Sequence, residues 1–167
     1  KDAPKPGEAD RKAAEYALEV GGTIQINGQN KDVKDAKDLP SVPFELTQVD
    51  LHDNKQVTDA GLAAFAGCKH LTTLNLADTR VTDAGLVHFK DCKELIGLYL
   101  DRTRVTDAGL VHFKDCTALM GLSLNTTKVS AAGLAHLKNC TDLRWACLSE
   151  AAITDAGLAR FKDCKHL

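Results

Sequence analysis

Val57-Thr58-Asp59-Ala60-Gly61-Leu62 returns at residues 81–86, 105–110, 129–134 and 153–158, each copy 24 residues after the last. Cys68, Cys92, Cys116, Cys140 and Cys164 keep the same step, as do Leu71, Leu95, Leu119, Leu143 and Leu167. A fixed period of this length marks stacked supersecondary units, each too small to bury its own apolar face. Between the anchors runs Leu71-x-x-Leu74-x-Leu76-x-x-Thr79-x-Val81. Leu74-Asn75-Leu76 alternates with period two, so the leucines point inward and Asn75 outward from a short strand. After Val81, Thr82 suits a helix N-cap and Asp83 puts negative charge in the first turn. Leu86 and Phe89, three apart, share the face that packs back on the strands. Stacking such units gives a curved α/β solenoid, a horseshoe with parallel strands on the concave side and helices on the convex side.

These residues resemble the leucine-rich repeat, with threonine where asparagine is common. The Val-Thr-Asp-Ala-Gly-Leu signature looks like repeats abundant in planctomycete-type bacterial proteins, in which Asp10-Arg11-Lys12-Ala13-Ala14-Glu15 and Gly21-Gly22 also have counterparts. It is similar as well to the cysteine-containing repeats of F-box proteins, although no F-box precedes it here. The resemblance implies a recognition module, often attached to other domains, and names no ligand.

Residues 1–45 depart from the repeat and read as an N-terminal cap. Glu8 to Val20 forms a helix with Ala13, Tyr16, Ala17 and Val20 on one stripe, ended by Gly21-Gly22. Ile24-Gln25-Ile26 aligns with Val49-Asp50-Leu51 as an outermost strand, Asn27-Gly28 is a turn, and Lys31 to Pro43 is irregular. Residues 46–167 hold five repeats, the first with one extra residue near Asn54 to Gln56. The chain stops at Leu167, where a sixth repeat would begin. A fragment of a longer protein, or an end covered by a partner through end-to-end self-association, is the expectation. A start at Lys1 without methionine fits removal of an upstream segment.

Composition excludes several classes. A net charge of −2 over 167 residues gives no single-sign field, which argues against a nucleic-acid partner. The longest apolar runs, such as Leu62 to Ala66, fall far below the roughly 20 residues of a membrane helix, so no membrane partner is expected. The ladder cysteines read as buried thiols that fill the core, and unpaired thiols point to a cytoplasmic compartment. An upstream signal segment, since removed, would place the protein outside the cytoplasm instead.

His88 and Cys92, His112 and Cys116, and His136 and Cys140 have metal-ligand spacing, but Ala64 and Arg160 replace the histidine in other repeats. Solvated histidines beside buried cysteines are the better reading, and neither a metal nor a cofactor is expected. Cys147 lies off the ladder and faces outward, without a histidine to activate it. No catalytic constellation is found, so the chain reads as non-enzymatic. Asn125-Thr126-Thr127 and Asn139-Cys140-Thr141 match the glycosylation pattern, which matters only in a eukaryotic secretory context. Arg80, Arg104 and Lys128 form a cationic row at the strand exit, read as part of a solvated mixed-charge face with Asp78, Asp83, Asp101 and Asp107 interleaved.

Alternation places Thr73, Gly97, Gly121 and Trp145 in one concave column and Asn75, Tyr99, Ser123 and Cys147 in the next. Asp78, Asp101, Arg102, Asn125 and Glu150 flank them. A protein partner is expected on this face, with Tyr99, Arg102 and Trp145 as anchors. Thr73, Asn75, Asp101, Ser123, Asn125, Cys147 and Glu150 complete the candidate partner-binding set. Asn75, Asp101, Ser123 and Asn125 are the expected hydrogen-bonding residues. In the competing reading Trp145 simply covers the bare backbone at Gly121.

Overall fold

The computed structural model describes residues 7–151 and Ile153. The copy of the signature at 153–158, Cys164, Leu167 and the expected end-to-end contact lie outside the described residues, Ile153 aside.

The period-two leucines become the strands of one sheet, in the order in which they occur in the chain. These are β1 (Thr23–Ile26), β2 (Leu46–Asp50), β3 (Thr73–Asn75), β4 (Gly97–Tyr99), β5 (Gly121–Ser123) and β6 (Trp145–Cys147). From β2 onward neighbours are parallel and in strict repeat register, Leu74 opposite Leu98 and Leu98 opposite Leu122. The helix α1 (Glu8–Glu19) precedes the sheet, and the returning segments are α2 (Asp83–Leu86), α3 (Asp107–Leu110) and α4 (Ala131–Leu134), each followed by a turn of 3-10 helix. Between the two layers lies one continuous core. Leu74, Leu76, Leu86, Phe89 and Leu95 are fully buried, as are Leu98, Leu100, Leu110, Phe113 and Leu119 one repeat on. The solenoid read from the period is the observed architecture.

Threonine at the asparagine position works by turning back on its own strand. The buried Thr79, Thr103 and Thr127 hydroxyls donate to the carbonyls of Leu76, Leu100 and Leu124 at 2.6–2.7 Å. The N-cap threonines hold as read, with Thr82 accepting from the Ala84 N–H at 3.3 Å. Asp83 does more than complement a helix dipole. Its carboxylate accepts the backbone N–H (2.8 Å) and the hydroxyl (2.6 Å) of Thr106 in the next repeat. Asp59 binds Thr82 in the same way, and Asp107 binds Ser130. Ala131 replaces the next aspartate and has no acceptor to offer.

The cap differs from its reading in strand direction. The edge strand β1 pairs antiparallel with β2, Ile24 opposite Val49 and Ile26 opposite Leu46, so it is not a repeat-aligned strand. Asn27 and Gly28, both left-handed, turn the chain, and Val33 then exchanges two backbone bonds with Ile24. That exchange covers part of an otherwise open sheet edge. The helix α1 buries Ala13, Ala14 and Ala17 completely and ends at Gly21 and Gly22, whose N–H groups return to Leu18 and Ala17. The extra residue read near Asn54 ties the first repeat to the cap, because the Asn54 amide donates to the Val20 carbonyl at 2.6 Å, at the end of α1.

Candidate functional site

Strict register makes the outward strand residues into straight columns. Thr73, Gly97, Gly121 and Trp145 lie side by side, as do Asn75, Tyr99, Ser123 and Cys147. The bare glycine backbones are covered by rings: Tyr99 lies against Gly97, and Trp145 lies over Gly121 so closely that a Cβ there would collide with it. The two rings meet at 5.7 Å between centroids, tilted by 43°. Trp145 keeps 39% of its surface exposed. The competing reading is therefore correct as geometry, and it leaves part of the ring pair open to solvent.

Beside Tyr99 a groove of about 440 Å³ runs toward the cap. Thr73, Asn75, Gln48, Asp50, His52 and Gln25 line it, with Asp32 and Lys34 at its edge. Gln48 and Asp50 extend the two columns, opposite Thr73 and Asn75. Sequence reasoning missed them because the extra residue makes this one step 25 rather than 24; counting it brings them into line. His52 Nδ1 lies 2.8 Å from Asp50 Oδ1, and this bond, then the charge of Asp50, raises the imidazole pKa above 6.5.

Several residues expected to meet a partner are already engaged within the chain. Arg102 closes both arms of its guanidinium on Asp78 at 2.6 Å, which raises its own pKa and lowers that of Asp78. Ser123 is only 6% exposed and donates to Asp101 at 2.6 Å. The Asn125 amide donates to the same carboxylate oxygen at 2.6 Å and accepts from the Ser149 N–H at 2.8 Å. Asn75 accepts from the Ala77 N–H. Glu150 accepts from Thr126 at 3.1 Å. These groups fix the strand-exit turns, where Asp53, Asp78, Arg102, Thr126 and Glu150 all hold left-handed φ of 50–58°. The first four each donate their N–H to the carbonyl of the next repeat, which offsets the strain. Tyr99, Trp145, Thr73 and the exposed Cys147 remain facing outward.

The ladder cysteines lie inside. Cys68, Cys92, Cys116 and Cys140 are buried, and no disulfide joins any of them to a described residue. Cys92 Sγ donates to the Cys68 carbonyl at 2.9 Å, and Cys116 Sγ to the Cys92 carbonyl at 3.3 Å. Burial pushes the Cys68 and Cys116 thiols up to about 12, and the Cys92 thiol rises too. Such thiols are poor nucleophiles and poor metal ligands at neutral pH. His88, His112 and His136 are half-buried, and desolvation lowers the pKa of His112. Among the described residues no three His, Cys, Asp or Glu side chains converge to hold a metal ion. No described helix is long and apolar enough to cross a membrane.

Comparison with known proteins agrees with this geometry. A family model for the leucine-rich repeat matches residues 45–66 and 67–89. Among curated proteins none matches the sequence. The fold is similar to the crystal structure of an internalin from Listeria monocytogenes, with a TM-score of 0.53 at 20% identity. The match covers 93% of this chain and 46% of that one, so the chain spans less than half the length of the internalin. Repeat register, threonine turns and family match agree on the fold: the described residues form an α/β solenoid of the leucine-rich-repeat type.

Proposed function

We propose that the protein is a non-enzymatic interaction module that receives a protein partner on its concave strand face. The Tyr99–Trp145 ring pair, partly open above the glycine column, carries this reading. Aromatic rings held in place by backbone contact offer large apolar area at small ordering cost, which is how interface hot spots are built. The polar groove of Gln48, Asp50, His52 and Asn75 beside them supplies the rim. Arg102, Ser123 and Asn125 shape the face through their internal bonds and contribute little direct contact. Free thiols fit a reducing compartment.

The test is an affinity capture from lysate of the source organism, run with the wild-type chain and with a Tyr99→Ala, Trp145→Ala double variant. Circular dichroism would confirm that the variant is folded. A protein retained by the wild type and lost by the variant supports concave recognition. With that partner in hand, Trp145→Ala is expected to weaken binding by at least about 2 kcal/mol in calorimetry. A loss below about 0.5 kcal/mol removes Trp145 from the interface.

A further inference from the structure

Three alanines fall on one joint of the stack. Ala146 on β6 pairs with Leu122 and takes the place that Leu74, Leu98 and Leu122 fill in the inward column. Ala151 stands where Thr79, Thr103 and Thr127 each turn a hydroxyl back on a leucine carbonyl. The Leu148 carbonyl there receives the Ala151 N–H at 3.2 Å and no hydroxyl from residue 151. Ala131 stands where Asp59, Asp83 and Asp107 each clamp the next unit. The joints from β2 to β3, β3 to β4 and β4 to β5 have the carboxylate clamp, the buried hydroxyl and a large inward side chain on both strands. The joint from β5 to β6 lacks all three.

What holds β6 is its backbone and one ring. The Arg144 and Trp145 N–H groups donate to the Met120 carbonyl, and the Leu124 N–H to the Cys147 carbonyl, as at the earlier joints. The addition peculiar to this joint is Trp145, whose ring reaches over Gly121 of β5 and meets Tyr99. Backbone bonds largely replace bonds to water, so apolar burial and charge-assisted bonds supply much of the cohesion between repeats. Their loss leaves β6 held less tightly than β3, β4 or β5.

We propose that β6 docks and undocks on β5 as a local unit, with the Trp145 ring as its latch. The Tyr99–Trp145 pair is then assembled only in the docked state. A partner that needs both rings selects that state, and its apparent affinity falls with the docked fraction. This regulation rests on the concave reading given above; the docking itself does not.

The test is made on the full chain without a partner. Native-state hydrogen exchange compares the Leu76, Leu100 and Leu124 amides, which donate in the same way to the strand one repeat on, at 2.9, 2.9 and 2.8 Å. Only the acceptor of Leu124 lies on β6, so its amide is expected to exchange at least about tenfold faster than the other two. An A146L/A151T variant rebuilds two of the three devices without touching either ring. It should bring Leu124 to within about threefold of Leu100. Trp145 is the single tryptophan of the chain, so its fluorescence reads the latch directly. On heating, the fluorescence change should precede the loss of circular dichroism in the wild type and coincide with it in the variant.

Exchange of Leu124 at the rate of Leu100 in the wild type overturns the proposal, and that comparison needs no variant to fold. A fast Leu124 that A146L/A151T leaves as fast also overturns it, by tracing the looseness to the outer position of the strand and not to the alanines. Unchanged partner capture by the Tyr99→Ala, Trp145→Ala variant would fail the concave reading alone, whereas the exchange rates judge the docking.

Discussion

The buried thiol of Cys116 shows how much one atom carries in this core. Its Sγ donates to the Cys92 carbonyl and is otherwise packed among apolar groups, with the residue only 2% exposed. Cys116→Ser shortens the reach to that carbonyl and buries a more strongly solvated hydroxyl, at a cost of roughly 1–3 kcal/mol. Cys147→Ser changes a surface group and should shift stability by less than about 0.5 kcal/mol. Thermal unfolding of the two variants reads the difference, and equal shifts would contradict the inside and outside placement. Period and alternation made that placement legible. They could not show that Ser123, in an outward column, folds under and bonds Asp101. Nor could they show that Arg102 bends back one repeat to Asp78, because both depend on turn conformations that no side-chain pattern records.

At the scale of the element, the unit of cohesion is the strand and helix joined to the next copy through an aspartate. Asp83→Ala removes two charge-assisted bonds at once and leaves the half-buried Thr106 N–H without its acceptor. The expected loss is about 2–3 kcal/mol, against about 1 kcal/mol for Thr106→Ala, which keeps the N–H bond. Denaturant unfolding of the pair measures this ordering, and a smaller effect from Asp83→Ala would show that the ladder contributes no cohesion. The signature marked the helix start correctly, since Thr82 caps its own helix. The partner of Asp83 lies 23 residues ahead, so only the stacked register reveals it. The direction of β1 was hidden for a similar reason: alternation reports which side chains face inward, not which way the chain runs.

For the whole molecule, α1 is the cover of one end of the core. Its three buried alanines allow close approach to the first repeat, and Tyr16 meets the ring of Phe65 edge-on at 6.0 Å. A chain beginning at Gly22 is expected to expose that end and to self-associate more than the chain that keeps α1, as read by sedimentation and circular dichroism. A monomer with an unchanged unfolding midpoint would show that the helix is dispensable. The solenoid as a whole was legible in the sequence because one unit is written five times, and a period survives local surprises that would defeat a single element. The strict register has a kinetic consequence as well. Parallel sheets ordinarily form slowly, because their strands are far apart in the chain and long loops must close first. Here each parallel pairing from β3 onward joins residues only 24 apart, such as Leu98 and Leu122. The entropy of closure is then set by one repeat and not by the length of the chain. Growth from any formed pair repeats the same small step, so adding repeats would lengthen the molecule without raising the barrier to each addition.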